Sequence, residues 1–149
     1  TFTGVEHRIE PVRLLDGVQW YNDSIASSPT RTIAGLRSFD QKIIIIAGGY
    51  DKNIPYEPLA PEILEHVKVL VLMGATGPKI EKAVRECPGF AESGLVILHA
   101  KDMKEAVDEA RAAAKPGDIV SLSPASASFA LSPNFEVRGR HFKELVNAL

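Results

Sequence analysis

The sequence predicts an α/β domain in which a doubly wound, mostly parallel sheet follows an antiparallel hairpin. Three observations predict it. First, KIIIIAGGYDK at 42–52 sets four consecutive isoleucines and Ala47 ahead of a glycine pair. β-Branched residues without polar alternation suit a strand covered on both faces, as in the middle of a parallel sheet. Second, strand-length apolar runs recur at 67–73, 95–99 and 118–122, with helix-period segments between them. Third, β-prone runs at 7–15 and 18–23 flank Asp16-Gly17, a dipeptide that favours a two-residue hairpin turn.

Taken in order, Pro11 has no N–H for a ladder and places the first run at a sheet edge. In YNDSIASSPT, Ser27 or Ser28 caps a helix that has Pro29 in its first turn and runs towards Leu36. Each isoleucine of 43–46, once buried, contributes roughly 1.5–3 kcal/mol, which makes that strand a core element. Residues 58–66 read as a helix with Leu59, Ile63 and Leu64 inward. The strand at 67–73 opens into GATGPK, where Pro78 starts a helix with Ile80, Ala83, Val84 and Cys87 at helical spacing. After the strand at 95–99, Asp102 and Glu105 form a capping box for a helix carrying Met103, Ala106, Val107 and Ala110. Pro116-Gly117 ends it. The strand at 118–122 opens into SPASASF, and Pro133 starts a last helix with Phe135, Phe142, Leu145, Val146 and Leu149 on one side.

A length of 149 residues fits one domain with a sizeable core. The net charge of −2 argues against a nucleic-acid surface, which needs a basic face. The single cysteine, Cys87, excludes an internal disulfide and fits a reducing, cytoplasmic setting. No apolar run approaches membrane-spanning length, and no signal peptide is present, so no membrane partner is expected. The chain begins TFTGVEHRIE without an initiator methionine. It therefore reads as one domain, 1–149, of a longer protein.

Parallel strands bring their carboxyl ends to one edge, where ligands of open α/β sheets bind. Asp23, GGYDK, GATGPK, residues 99–102 and SPASASF are expected to line that rim. The string GxxxxGK[ST] is absent, so GGYDK is no Walker motif. Its glycines are either a tight exit from the strand or a place where backbone approaches a ligand. Lys52 is correspondingly a solvated lysine or the partner of an anion. SPASASF is either a hydroxyl-rich turn or a place where Ser128 and backbone N–H groups hold a carboxylate or phosphate. GATGPK has the wrong spacing for a dinucleotide loop. His7, His66, His99 and His141 lack metal-ligand spacing, so no metal site is expected. Asp23 has no carboxylate or histidine partner in its own loop and reads as a helix cap. No nucleophile elbow or hydrolytic triad is present, and no catalytic residue is assigned.

In order, HRIE (7–10), YNDSIASSP (21–29), GGYDK (48–52), LSPASASF (122–129) and NFEVRGRHF (134–142) resemble the C-terminal domain of the Mur ligases, and in particular their D-glutamate-adding branch. The resemblance covers nearly the whole chain from His7 on. It implies a Rossmann-like domain of a monomeric, cytoplasmic three-domain enzyme of peptidoglycan synthesis. In that enzyme an N-terminal domain holds UDP-N-acetylmuramoyl-L-alanine and a central P-loop domain holds ATP and Mg2+. ATP converts the substrate carboxylate to an acyl phosphate, and the amine of D-glutamate attacks it to give an amide, ADP and phosphate. The resemblance implies that Lys52, Ser128 and Phe135 hold D-glutamate, with Ser27 and Phe129 nearby, and that Arg8 and Asp23 contact the nucleotide. It also implies that the isolated domain is inactive. The family's frequent DSKATNP is DSIASSP here, so Ile25 stands in place of a substrate-contacting lysine. Ala130 stands for a usual acidic residue and Pro133 for a common lysine. Another Mur ligase or a folylpolyglutamate synthase would share the fold, although NFEVRG after SPASASF favours the D-glutamate branch. A non-catalytic Rossmann-like module binding a nucleotide or an acidic metabolite is the reading from a different class.

Overall fold

The isoleucine run forms β3 (Ile43–Ala47), and all five of its residues are buried. The computed structural model describes residues 5–128 and 134–149. Phe129, Ala130 and Pro133 lie outside the described residues.

The sheet has six strands, β1 (Glu10–Leu15), β2 (Val18–Asn22), β3, β4 (Val67–Leu72), β5 (Val96–His99) and β6 (Ile119–Leu122), in the order β1-β2-β6-β3-β4-β5. Only β1 runs antiparallel to its neighbour. The predicted hairpin thus supplies an antiparallel edge. Asp16 (φ 52°) and Gly17 (φ 80°) both adopt the positive φ that a type I′ turn requires. The β1–β2 register slips between Pro11 and Arg13, where proline has no N–H to donate.

Alternation along β3 divides the core in two. Ile44 and Ile46 pack with Trp20, Val71, Val120, Phe142 and Val146. Ile43, Ile45 and Ala47 face Leu36, Leu59, Ile63, Leu70 and Ile80. The first layer is covered by α5 (Met103–Ala113) and α6 (Phe135–Asn147). The second is covered by α1 (Pro29–Leu36), α2 (Ala60–His66) and α3 (Gly77–Arg85). The doubly wound architecture is therefore present.

Local signals set most boundaries. Ser28, not Ser27, caps α1: its Oγ accepts from Arg31 N at 3.4 Å, and Pro29 takes the first helical position. Asp102 caps α5 by accepting from Glu105 N at 2.9 Å. The Glu105 carboxylate takes the N–H of Lys101 rather than that of Asp102, so the box closes one residue early. A 3-10 turn (Glu57–Leu59) precedes α2, which splits the single helix expected at 58–66. The last helix begins at Phe135 with Asn134 as its cap, its Oδ1 accepting from Val137 N at 2.9 Å. A short turn, α4 (Phe90–Ser93), sits between Gly89 and Gly94, and four residues are too few to show helical periodicity. Among the described residues no helix is long and apolar enough to cross a membrane.

Candidate functional site

β6 lies between β2 and β3, so its exit, SPASAS, runs between the exits of both. Asp23 N donates to Leu122 O at 2.9 Å and Ala125 N to Ala26 O at 2.9 Å. On the other side, Gly48 N donates to Pro124 O and Tyr50 N to Ala127 O, each at 2.9 Å. Gly48 has φ +110°, and a Cβ there would stand 1.9 Å from Met73 O, so only glycine lets the β3 and β4 exits come this close. The loops expected on one rim do meet there.

They are tied together by a residue to which the sequence reading gave no role. Arg138 of α6 is 4% exposed. Its Nε donates to Ser24 Oγ (3.0 Å) and its Nη1 to Ser126 O (2.8 Å). Its Nη2 donates to Ser24 O (2.7 Å) and Ser27 Oγ (3.0 Å). Desolvation pulls the guanidinium down to about 10, which leaves it charged at neutral pH. Among the described residues no carboxylate pairs with it. One signal was available in the sequence: Arg138 falls three residues after Phe135 and four before Phe142, on the buried stripe of α6. Gly139 beside it makes room for His7, whose Nδ1 would lie 2.2 Å from an added Cβ.

The predicted amino-acid-site residues are placed as follows. Ser27 Oγ accepts from Arg138 and donates to Ser24 O at 3.4 Å. Ser128 is partly buried, and its Oγ is buried without a hydrogen-bond partner among the described residues. Ser128 and Arg138 share an open cavity of about 330 Å³ with Gly48, Gly49 and Tyr50. Lys52 lies two residues past Tyr50, exposed and without an ion-pair partner among the described residues. Its neighbour Asp51 is committed elsewhere, 2.6 Å from Lys79 Nζ and accepting from Asn53 N at 2.8 Å. The Phe135 ring is partly buried and meets His7 edge-on, with centroids 6.0 Å apart.

The pair expected on the nucleotide side lies at a second hollow. Arg8 and Asp23 line a space of about 180 Å³ with Ile25, Arg31 and Gly35. Arg8 is exposed and Asp23 is 4% exposed. Asp23 is not the helix cap the sequence suggested; its Oδ1 accepts from Ile9 N at 3.1 Å instead. The HRIE backbone around it is strained, with φ 67° at His7 and φ 45° at Ile9, a conformation costly for a β-branched residue. It is held there by Ile25 N donating to His7 O at 3.1 Å and His7 N to Glu10 Oε1 at 3.1 Å. Asn22 Nδ2 reaches both Glu10 Oε1 (3.0 Å) and His7 Nδ1 (2.8 Å), which leaves the ring proton on Nε2. Glu6, His7 and Glu10 cluster in space, but Lys143 Nζ already bridges the carboxylates at 2.8 and 3.2 Å.

Burial raises the Asp23 carboxyl to about 6, while the Ile9 N–H, Arg8 and Arg31 pull it back down. The folded state thus holds its proton more tightly than the unfolded chain, and stability falls as pH climbs from about 4 to about 6. Ionised Asp23 then costs the fold at most about 3 kcal/mol at neutral pH. Asp23→Asn keeps an acceptor for Ile9 N and removes that charge. Urea unfolding of the isolated chain is therefore expected to show the variant more stable at pH 7.5, with the gap shrinking towards pH 4. A variant less stable at pH 7.5 would contradict it.

An open, mostly parallel sheet that gathers serine hydroxyls, a buried guanidinium and an exposed lysine along its carboxyl edge belongs to the class of doubly wound α/β domains, in which ligand sites lie at the strand ends. Residues 7–126 match the model of the Mur ligase, glutamate ligase domain family, and the chain belongs to that family. It is 61% identical over 148 residues to the UDP-N-acetylmuramoylalanine–D-glutamate ligase of Symbiobacterium thermophilum and 59% identical over 151 residues to that of Acetivibrio thermocellus. These alignments cover 99% and 100% of the chain, which spans 32% of each relative's length. Among solved structures, Mycobacterium tuberculosis folylpolyglutamate synthase complexed with ADP matches with a TM-score of 0.65 at 13% identity. That match covers 95% of this chain and 32% of the other, and it shows the shared fold.

Proposed function

We propose that the chain is the amino-acid-binding C-terminal domain of an ATP-dependent ligase that joins D-glutamate to UDP-N-acetylmuramoyl-L-alanine in peptidoglycan synthesis. The observation that carries this reading is the rim itself. Arg138, a cation with no carboxylate partner among the described residues, bonds the Ser27 hydroxyl and shares a cavity with Ser128, and Lys52 follows on the neighbouring strand exit, within a chain whose relatives at 61% and 59% identity bear that enzyme's name. A dicarboxylic amino acid needs this combination, cations for its charges and hydroxyls to fix its orientation. Lys52, Ser128 and Phe135 hold D-glutamate, Ser27 contributes through its contact with Arg138, and Phe129 is assigned to the same site by the family resemblance. Held in this way, the D-glutamate amine is oriented to attack an acyl phosphate formed on the partner substrate.

In this reading the second hollow meets one edge of the nucleotide. Arg8 and Arg31 supply charge for phosphates, and Asp23, ionised at neutral pH, accepts from a sugar hydroxyl. ATP supplies the phosphoryl group for activation. The chain carries no phosphate-cradling GxxxxGK[ST], so ATP and Mg2+ are held mainly by another domain of the whole enzyme.

Titrating D-glutamate into the isotope-labelled isolated chain tests the reading. Saturable amide shifts are expected at Ser27, Lys52 and Ser128, weaker with L-glutamate, and no Mg2+-dependent ADP release is expected from the chain alone. Shifts confined to other loops, or ADP release that survives repurification, would overturn it. In the full-length enzyme, ADP release should require both D-glutamate and the UDP-sugar substrate.

A further inference from the structure

GATGPK is a rim motif to which the proposed site assigns no task. Thr76 within it is fully buried, and it clamps the glycine loop from two directions. Gly49 N donates to Thr76 Oγ1 at 2.9 Å, and Thr76 N donates to Gly49 O at 3.2 Å. The clamp continues inward. Thr76 Oγ1 lies 2.8 Å from Ser126 Oγ, and Ser126 Oγ lies 2.8 Å from Tyr56 OH. Tyr56 is 4% exposed and Ser126 1%. Thr76 Oγ1 accepts from Gly49 N and shares a hydrogen bond with Ser126 Oγ, which shares a second with Tyr56 OH.

The position of this chain is what gives it consequence. Gly49 stands three residues before Lys52, and Ser126 stands two before Ser128. The Ser126 carbonyl also accepts from Arg138 Nη1. The hydroxyl chain therefore fixes the distance between the strand exit that bears Lys52 and the one that bears Ser128. The glycines permit the approach: a Cβ on Gly74 would lie 2.9 Å from Gly49 Cα, and one on Gly49 would lie 2.6 Å from Ala127 O.

We infer that Thr76, acting through Gly49 and through the Ser126–Tyr56 hydroxyls, is a positioning residue that sets the Lys52–Ser128 spacing in the proposed D-glutamate site. The inference rests on that reading of the site. Thr76→Val keeps the shape and removes the hydroxyl, which leaves Gly49 N–H and Ser126 Oγ each short of a partner. Ser at position 76 restores both bonds.

Steady-state kinetics of the full-length enzyme test it with four variants, Thr76→Val, Thr76→Ser, Tyr56→Phe and Lys52→Ala. Thr76→Val is expected to raise the KM for D-glutamate about tenfold while the ATP KM stays within about twofold. Thr76→Ser should return the D-glutamate KM to near the parent value, and Tyr56→Phe should raise it less than valine does. An unchanged D-glutamate KM in Thr76→Val, or D-glutamate and ATP KM rising together, would overturn the inference. If the valine variant fails to fold, an unchanged D-glutamate KM in Tyr56→Phe overturns it equally. Lys52→Ala separates the two levels of argument. If it raises the D-glutamate KM while the Thr76 variants do not, only the positioning role falls; if it leaves that KM unchanged, the D-glutamate reading itself falls.

Discussion

Arg138→Met is expected to destabilise the isolated chain by about 2–4 kcal/mol, read as a fall in midpoint temperature of roughly 5–15 °C. The guanidinium is the common donor to Ser24 O, Ser126 O and Ser27 Oγ, on two strand exits that have no other bridge of this kind among the described residues. Methionine fills similar volume but donates nothing, so Ser126 O loses the guanidinium and Ser24 O keeps only the 3.4 Å bond from Ser27 Oγ, and a buried carbonyl left unsatisfied costs about 1–3 kcal/mol. Part of that cost is offset, because a desolvated charge is removed as well. Arg138→Lys keeps the charge yet cannot reach all four acceptors from one fork, so only partial recovery is expected. In the full-length enzyme the methionine variant should also lose D-glutamate affinity, since Ser27 and the SPASAS loop are no longer held together. A midpoint unchanged within about 2 °C would show that the loops are held by their backbone bonds alone.

Lys52→Ala is expected to behave in the opposite manner, with no change in stability and a large change in substrate use. Lys52 is exposed and makes no ion pair among the described residues, so its removal leaves nothing buried unsatisfied. A charge-assisted hydrogen bond to a carboxylate is worth roughly 1.5–3 kcal/mol, so the D-glutamate KM should rise about ten- to a hundredfold. The ATP KM should barely move, because the chain has no phosphate cradle of its own. Some loss of kcat is expected where the lysine also aims the amine. Lys52→Arg keeps the charge with a different reach and should recover part of the loss. If the alanine variant impaired ATP use and left the D-glutamate KM unchanged, Lys52 would belong to the nucleotide side of the rim.

Much of the fold was legible because its causes are local. Four β-branched isoleucines in a row can be buried only in a two-sided strand, and β3 is that strand. Asp16-Gly17 tolerates the positive φ of a tight hairpin, and Ser28-Pro29 starts a helix with the conformations those residues prefer. Even the rim of candidate site loops followed from topology, since parallel strands must end on one edge.

What only the tertiary structure decided involves residues far apart in the chain. The insertion of β6 between β2 and β3 is a choice of strand order that no local propensity encodes, and it is what brings Ser126 within reach of the arginine that also holds Ser24 and Ser27. Arg138 lies 114 residues from Ser24, and an arginine on a helix reads as a solvated charge until the packing encloses it. Asp23 looked like a cap because Ser, Asp and Asn share that role in sequence; burial against Gly35 and the Ile9 N–H gave it a different one. Thr76 drew no notice because a hydroxyl gains a role only when a donor and an acceptor are folded against it. Local sequence thus determined which segments become strands, turns and helix starts, because backbone preference acts over a few residues. The pairing of polar side chains at the rim was left to packing, because burial and hydrogen-bond reach are properties of the assembled sheet.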